Sequence, residues 1–301
     1  MSSRIRRSEM TCPAHSLAMI TKAAASEADE VIIDLEDACA VSQKIAARAT
    51  VIQALQSLDF GQKIVAVRPN AVQTHYHYRD VVEIVEAAGA KIDVLVIPKI
   101  ESADDVRFVD RLLSQIEANI GLQVGTIKLE VLIEGTRALQ AVEQIANASP
   151  RLESLIFGLA DYAGDLGARS ADDQWGMFAY PKHKMLVAAK AAGLEAIDNV
   201  TFAFRDAEAC QRDAERAAAM GFDGKWAIHP VQVPIINQAF LPSAAEIAEA
   251  QRLIKAYQAA DQQAGLGAIA IDDQMIDAAS LRVHAKKLAM AQRAGLIAIQ
   301  P

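Results

Sequence analysis

Lys-Leu-Glu-Val-Leu-Ile-Glu-Gly (residues 128–135) is an apolar run that ends on a carboxylate and a glycine. Ser-Leu-Ile-Phe-Gly-Leu-Ala-Asp-Tyr-Ala-Gly-Asp-Leu-Gly (residues 154–167) has the same form, with Asp161 as its first acid. Short apolar runs bounded by glycine read as buried strands that open into loops. Outward from these two, further runs predict strands near 8–13, 30–36, 63–68, 93–99, 194–199 and 223–228, with the pair itself at 128–133 and 154–159. Segments with helical periodicity lie between them, among them Tyr78–Ala88, Ala103–Glu117, Ala138–Ala146 and Lys182–Ala192. Strand alternating with helix argues for parallel βαβ units. Eight such strands before residue 230 fit a closed (β/α)8 TIM barrel. An open doubly wound sheet is the competitor, and one misread strand would restore it.

The chain of 301 residues therefore divides into a barrel over 1–240 and a C-terminal helical extension over 241–301. Ser243 reads as the N-cap of a helix, with Glu246 completing a capping box, and that helix runs to about Gln263. A connector with Gly265 and Gly267 follows, then an apolar alternation at Ala268–Ile271, and Met275–Ala294 reads as a last helix. The extension is too short for a separate substrate domain. It suits an appendage that packs on the barrel or reaches a neighbouring subunit.

The formal net charge of −8 and an aromatic content of 5% argue against a nucleic-acid partner, which needs a basic face or a stacking platform. Three widely spaced cysteines imply no disulfide framework and predict a reduced, cytoplasmic protein. No stretch is apolar for long enough to span a membrane, and the basic start lacks an apolar segment behind it.

In a (β/α)8 barrel the chemistry gathers where strands end and βα loops begin. Those ends carry Asp34-Leu35-Glu36-Asp37, Arg68-Pro69-Asn70, Lys99-Ile100-Glu101, Glu134, Asp161, Lys225 and His229. Glu134 and Asp161 are predicted metal ligands, since two carboxylates without His or Cys nearby match the oxygen chemistry of Mg2+. The plainer reading is ion pairing with Lys99 or Arg68. Two carboxylates leave an octahedral ion open to a 2-hydroxy or 2-oxo acid. Arg68 suits a substrate carboxylate or carbonyl, because its planar fork is always charged. Glu36 and Asp37 fit either supports that hold metal-bound waters and orient Arg68 and Lys99, or an acid pair at a helix N-terminus. His75 and His77 alternate in a polar loop and are expected to be solvated. There is no Gly-x-Ser-x-Gly elbow, dinucleotide fingerprint or P-loop.

Taken in order, these segments resemble the β-subunit-like branch of the citrate lyase family, within the HpcH/HpaI aldolase group. The matching stretches are Asp34–Asp37 with Lys44 and Arg48, Arg68-Pro69-Asn70, Pro98–Glu101, Leu132–Glu134, Phe157–Asp161, Ala196–Asp198, Gly221–Pro230, Phe240–Ser243 and Met275-Ile276-Asp277. The chain departs from the family's pattern at Pro13-Ala14-His15-Ser16 and at Pro69. The resemblance implies a Mg2+-dependent carbon–carbon lyase that cleaves or forms a 3-hydroxyacyl-CoA thioester of the malyl-CoA or citramalyl-CoA type, with an acyl-CoA and a 2-oxo acid as products. Alternatives within it are a citrate lyase β subunit working on a carrier-bound citryl thioester, and a thioesterase or malate-synthase-like net reaction. It assigns Arg68 and Glu134 to substrate, Glu134 and Asp161 to metal, and Asp277 to the proton on the acetyl carbon. Asp277 would come from an adjacent subunit of a homo-oligomer, a trimer or hexamer. Without the resemblance, Asp277 reads as an acid at a helix N-terminus. Lys22, Lys225, Arg6 and Arg7 are the cations considered for CoA phosphates.

Overall fold

The computed structural model describes residues 4–264, 267–272 and 274–298. Eight parallel strands close into a barrel in chain order. They are β1 (Ser8–Pro13), β2 (Glu30–Asp34), β3 (Ile64–Arg68), β4 (Val94–Ile97), β5 (Lys128–Ile133), β6 (Leu152–Phe157), β7 (Glu195–Asp198) and β8 (Gly224–Ala227). The returning helices are α1 (Leu17–Ala24), α2 (Lys44–Ser57), α3 (His77–Ala88), α4 (Ala103–Asn119), α5 (Thr136–Gln140), α6 (Val142–Ala146), α7 (Leu159–Leu166), α8 (Ala179–Ala191), α9 (Ala207–Met220) and α10 (Val233–Ala239). The closed barrel is thus the outcome, not the open sheet. The single helix expected over Ala138–Ala146 is two short ones that meet at Ala141.

Every residue of β2, β3 and β4 is buried. Strands covered on both faces read as continuous apolar runs, which is why the sequence signal is strong. Ile32, Ile64, Ala66, Val94, Val96, Leu132, Ile156, Ile197 and Trp226 pack into one core. Side chains alternate along a strand. Two positions beyond Ile32, Ala66, Leu132, Ile156 and Ile197 the same inward face therefore carries Asp34, Arg68, Glu134, Gly158 and Asn199. The apolar layer below sets the parity that aims this polar layer into the mouth of the barrel.

The opposite end is closed by Arg6. Its Nε lies 2.7 Å from both Glu30 and Glu130. Its two Nη atoms reach Glu195 at 2.5 Å and Glu153 at 2.9 Å. Gly224 makes the room, since a Cβ there would lie 2.0 Å from the Arg6 carbonyl oxygen. Arg7 is bound to Asp29 at 2.7 Å. Both arginines are consumed by carboxylates at the floor, so neither is available to a thioester's phosphates at the mouth.

The chain forms two compact units, one of Arg6–Asn237 and one from Gln238 onward that includes the described residues before Arg6. In the second, α11 (Ala244–Ala264) opens with the expected box. The Glu246 N–H donates to Ser243 Oγ at 3.2 Å, and the Ser243 N–H to Glu246 Oε2 at 3.0 Å. The predicted helix over Met275–Ala294 needs correction. Its first residues form a hairpin, β9 (Ala268–Ile271) with β10 (Gln274–Asp277), and α12 spans Ala278–Arg293. Met275 is 73% exposed and Ile276 2%, the alternation of a strand. Gly265 lies outside the described residues. Cys12, Cys39 and Cys210 are free and buried. Among the described residues no helix is long and apolar enough to cross a membrane.

Candidate active site

Glu134 follows β5 directly and is almost fully buried. Its Oε1 accepts the Lys99 backbone N–H at 2.5 Å. That N–H points at Glu134 because Lys99 adopts a left-handed conformation, φ 52°, costly for a residue with a side chain and typical of functional loops. Gly158 permits the packing: a Cβ there would meet Glu134 Cβ at 2.4 Å and Oε2 at 2.7 Å. Burial, with Asp161 adding to it, pushes the Glu134 carboxyl up to about 8, against the opposing pull of Arg68 and the Lys99 N–H. Asp161 lies in the first turn of α7, where the helix dipole favours an acid, and is partly exposed.

Arg68 ends β3. Asp34, paired with it in register, grips the guanidinium through two hydrogen bonds of 2.7 and 2.5 Å. Glu36 lies 3.3 Å from its Nη1. The guanidinium also lies over the Trp226 ring, 5.3 Å from the centroid. Two partners and a stacking face fix one orientation of the fork. Lys99 Nζ donates to Glu36 at 2.5 Å, contacts Asp37 at 3.2 Å and stands 3.8 Å from Asp161. Burial alone would lower the Lys99 ammonium, but Glu36 first, then Asp37 and Asp161, raise it. Lys44 supports the layer from behind, donating to the carbonyls of Leu35 and Glu36 at 3.0 and 2.7 Å and to Asn70 Oδ1.

Two cavities meet at the acids. One of about 160 Å³ has Arg68, Glu134, Asp161, Asn199, Phe202 and Trp226 among its walls. The other, about 660 Å³, is lined by Lys99, Glu134, Thr136, Arg137, Asp161 and Asp165 among others. Glu134 and Asp161 stand on the wall common to both.

The structure thus brings together Glu134, Asp161, Arg68, Lys99, Glu36 and Asp37. Lys225 does not join them. It is fully buried on the outward face of β8, donating to Asp198 at 2.7 Å and to the Asn199 carbonyl at 2.6 Å. Asp198 also binds Lys182 at 2.6 Å, and burial, with Lys225 close by, pulls the Lys182 ammonium down to about 8. Lys22 is exposed in the last turn of α1, where the helix has run back from the mouth, and it lines neither cavity. His77 is buried, not solvated, with Nδ1 2.7 Å from the Asn70 carbonyl. Asp277 caps α12: its Oδ1 accepts the N–H groups of Ala279 and Ser280 at 3.0 and 2.8 Å. These bonds, that of Ser280 foremost, hold its carboxyl below the usual range. Sequence reasoning missed the roles of Asp34, Gly158, Asn199 and Trp226. Their signal is parity alone, each an inward position on its strand.

Two acids, one of them buried, thus share a cavity wall with an arginine that is clamped in place. The model of the HpcH/HpaI aldolase/citrate lyase family matches residues 7–230. The chain belongs to that family. Within it, the L-malyl-CoA/beta-methylmalyl-CoA lyase of Cereibacter sphaeroides is 36% identical over 295 residues, 93% of this chain and 92% of the relative. Citrate lyase subunit beta of Leuconostoc mesenteroides subsp. cremoris is 34% identical, covering 91% of this chain and 89% of its own. The family likeness extends to solved structures. CitE of Mycobacterium tuberculosis, in complex with magnesium, acetoacetate and coenzyme A, superposes with a TM-score of 0.80 at 32% identity, over 98% of this chain and all of the other.

The donor set fits a hard divalent cation. The available atoms are carboxylate oxygens, and one carboxyl, that of Glu134, is pushed up to about 8 by burial, an environment that a positive charge would relieve.

Proposed function

We propose that this protein is a Mg2+-dependent carbon–carbon lyase acting on a 3-hydroxyacyl-CoA thioester of the malyl-CoA or citramalyl-CoA type, releasing or consuming an acyl-CoA and a 2-oxo acid. The observation that carries the reading is the buried Glu134 carboxylate beside Asp161, on a cavity wall faced by Arg68. Glu134 and Asp161 would hold the ion, which supplies Lewis acidity toward the oxo-acid oxygens. Arg68 binds the oxo acid and stabilises the alkoxide that develops on its carbonyl oxygen. Leu132 and Phe157 keep water from the reacting carbons. In the condensing direction Asp277 removes a proton from the acetyl carbon, the enolate attacks the oxo-acid carbonyl carbon, the alkoxide takes a proton from solvent water to become the product hydroxyl, and Asp277 returns its own proton to solvent. A carboxyl held low by its cap is ionised at neutral pH, the form this step needs. Glu36, Asp37 and Lys99 act by orienting Arg68 and neutralising the rim.

We assign Asp277 to the site of a neighbouring subunit in a homo-oligomer, with residues 241–301 as the extension that delivers it. The thioester arm is assigned to the larger cavity, where Arg137, exposed and paired with Glu101 at 3.0 Å, joins Lys99 as a cation the sequence reading did not single out for CoA. A citrate lyase β subunit is the second reading, favoured by the 34% identity to that subunit. Turnover of a free CoA thioester by the isolated protein would exclude it.

The test is turnover of malyl-, citramalyl-, methylmalyl- and citryl-CoA by purified protein with Mg2+. At least one should be cleaved. Glu134→Ala and Asp161→Ala should each cost about 10³-fold or more, as loss of several kcal/mol of charge stabilisation implies. Unchanged turnover in both variants would refute the assignment.

A further inference from the structure

We infer that the β7–β8–β1 side of the smaller cavity recognises a hydroxyl group, and that the 2-oxo acid handled here carries one on the carbon next to its carbonyl. The inference rests on the proposed lyase reading and names its substrate more narrowly.

Three polar atoms on that side are buried and have no hydrogen-bond partner among the described residues: Trp226 Nε1, Thr11 Oγ1 and Asn199 Oδ1. All three residues line the cavity that Glu134 and Asp161 border. Asn199 is 2% exposed and Trp226 4%. They sit on successive strands. Trp226 pairs in register with Glu9, two positions before Thr11, and Asn199 follows Asp198, which pairs with Lys225.

Their orientation is held from outside the cavity. Lys225, anchored by Asp198, donates to the Asn199 carbonyl at 2.6 Å. Asn199 Nδ2 donates to the Val200 carbonyl at 2.7 Å, so the amide presents its oxygen as the unengaged end. The Trp226 ring lies against the Arg68 guanidinium. The buried Lys225–Asp198 pair, outside the cavity, thus has a positioning role for the group that faces it.

The chemistry of the three atoms narrows the ligand. The indole N–H only donates, the amide oxygen only accepts, and the threonine hydroxyl does either. A hydroxyl oxygen has two lone pairs for the indole and threonine donors and one hydrogen for the amide oxygen. A hydrogen or methyl substituent, as on glyoxylate or pyruvate, meets none of them. A second carboxylate would take the donors but set its charge against Asn199 Oδ1. Leu132, Phe157 and Val200, the neighbouring walls, offer no side-chain partner.

The test titrates the full-length protein, with Mg2+, by calorimetry with glyoxylate, pyruvate, oxaloacetate and hydroxypyruvate, and measures kcat/KM for condensation of each with acetyl-CoA. Hydroxypyruvate should bind about 10- to 100-fold more tightly than pyruvate, the range expected when buried polar groups gain or lose a partner. Thr11→Val, nearly isosteric, and Asn199→Leu should both draw that ratio toward one. Equal binding of the two acids, tighter binding of oxaloacetate, or a ratio unmoved by Thr11→Val overturns the inference. A binding preference without condensation of any acid would support the subsite and refute the reaction. Condensation without a preference would do the reverse, and no binding of any acid would refute both.

Discussion

Gly158 and Glu134 face each other from adjacent strand ends, and the glycine's missing side chain decides where the carboxylate lies. A methyl at 158 would overlap Glu134 Cβ and Oε2. Gly158→Ala should therefore displace the carboxylate, weakening Mg2+ binding by about tenfold or more and costing about 1–3 kcal/mol in stability, the usual range for overpacking. Chemical denaturation and calorimetric titration of the variant measure both. Wild-type affinity would show that Glu134 does not need this seat. At this scale the sequence is legible where a charge breaks an apolar run, as at Glu134, Asp161 and Arg68. It is opaque where function depends on which way a side chain points. Lys225 and Trp226 are neighbours on one strand, one facing the helices and the other the cavity. Both faces of that strand are buried, so no pattern of polarity separates them. Asp34 clamps Arg68 only because the register of β2 and β3 sets them side by side.

Elements differ in how plainly they announce themselves. Barrel strands are continuous apolar runs between helical segments, and all eight lie close to where the sequence puts them. Of the hairpin, β9 shows as the apolar alternation at Ala268–Ile271, but β10 has only Met275 and Ile276 as apolar residues, too short a run to stand apart from the helix that follows. The last residue of β10, Asp277, both ends the hairpin and caps α12. These roles can be separated by substitution. Asn caps a helix about as well as Asp, whereas Ala costs about 1 kcal/mol. Asp277→Asn should keep the protein's stability yet lower turnover by about 10²–10⁴-fold, the contribution of a positioned acid–base group. Mixed with Glu134→Ala protein under conditions of subunit exchange, it should regain turnover. Full activity of Asp277→Asn would reduce Asp277 to its cap.

Buried carboxylates gather at both ends of the barrel, around one arginine at each. At the floor, Arg6 gathers Glu30, Glu130, Glu153 and Glu195. At the mouth, Arg68 and Lys99 leave Glu134 short of positive charge, and burial keeps its carboxyl protonated up to about 8. The sign follows from linkage. The native state binds this proton where the unfolded chain has lost it, so the cation-free protein loses stability as pH rises from the ordinary carboxyl range to about 8. A cation at the site must expel the proton, so its affinity should climb about tenfold per pH unit below that point.

The most direct test is a calorimetric titration with Mg2+ at pH 7 in buffers of different ionisation enthalpy. The account predicts one ion per chain and nearly one proton released to the buffer. Glu134→Gln should abolish that release and, with Asp161→Asn, weaken or eliminate binding. Binding with no proton released, or unaltered by both substitutions, would contradict it.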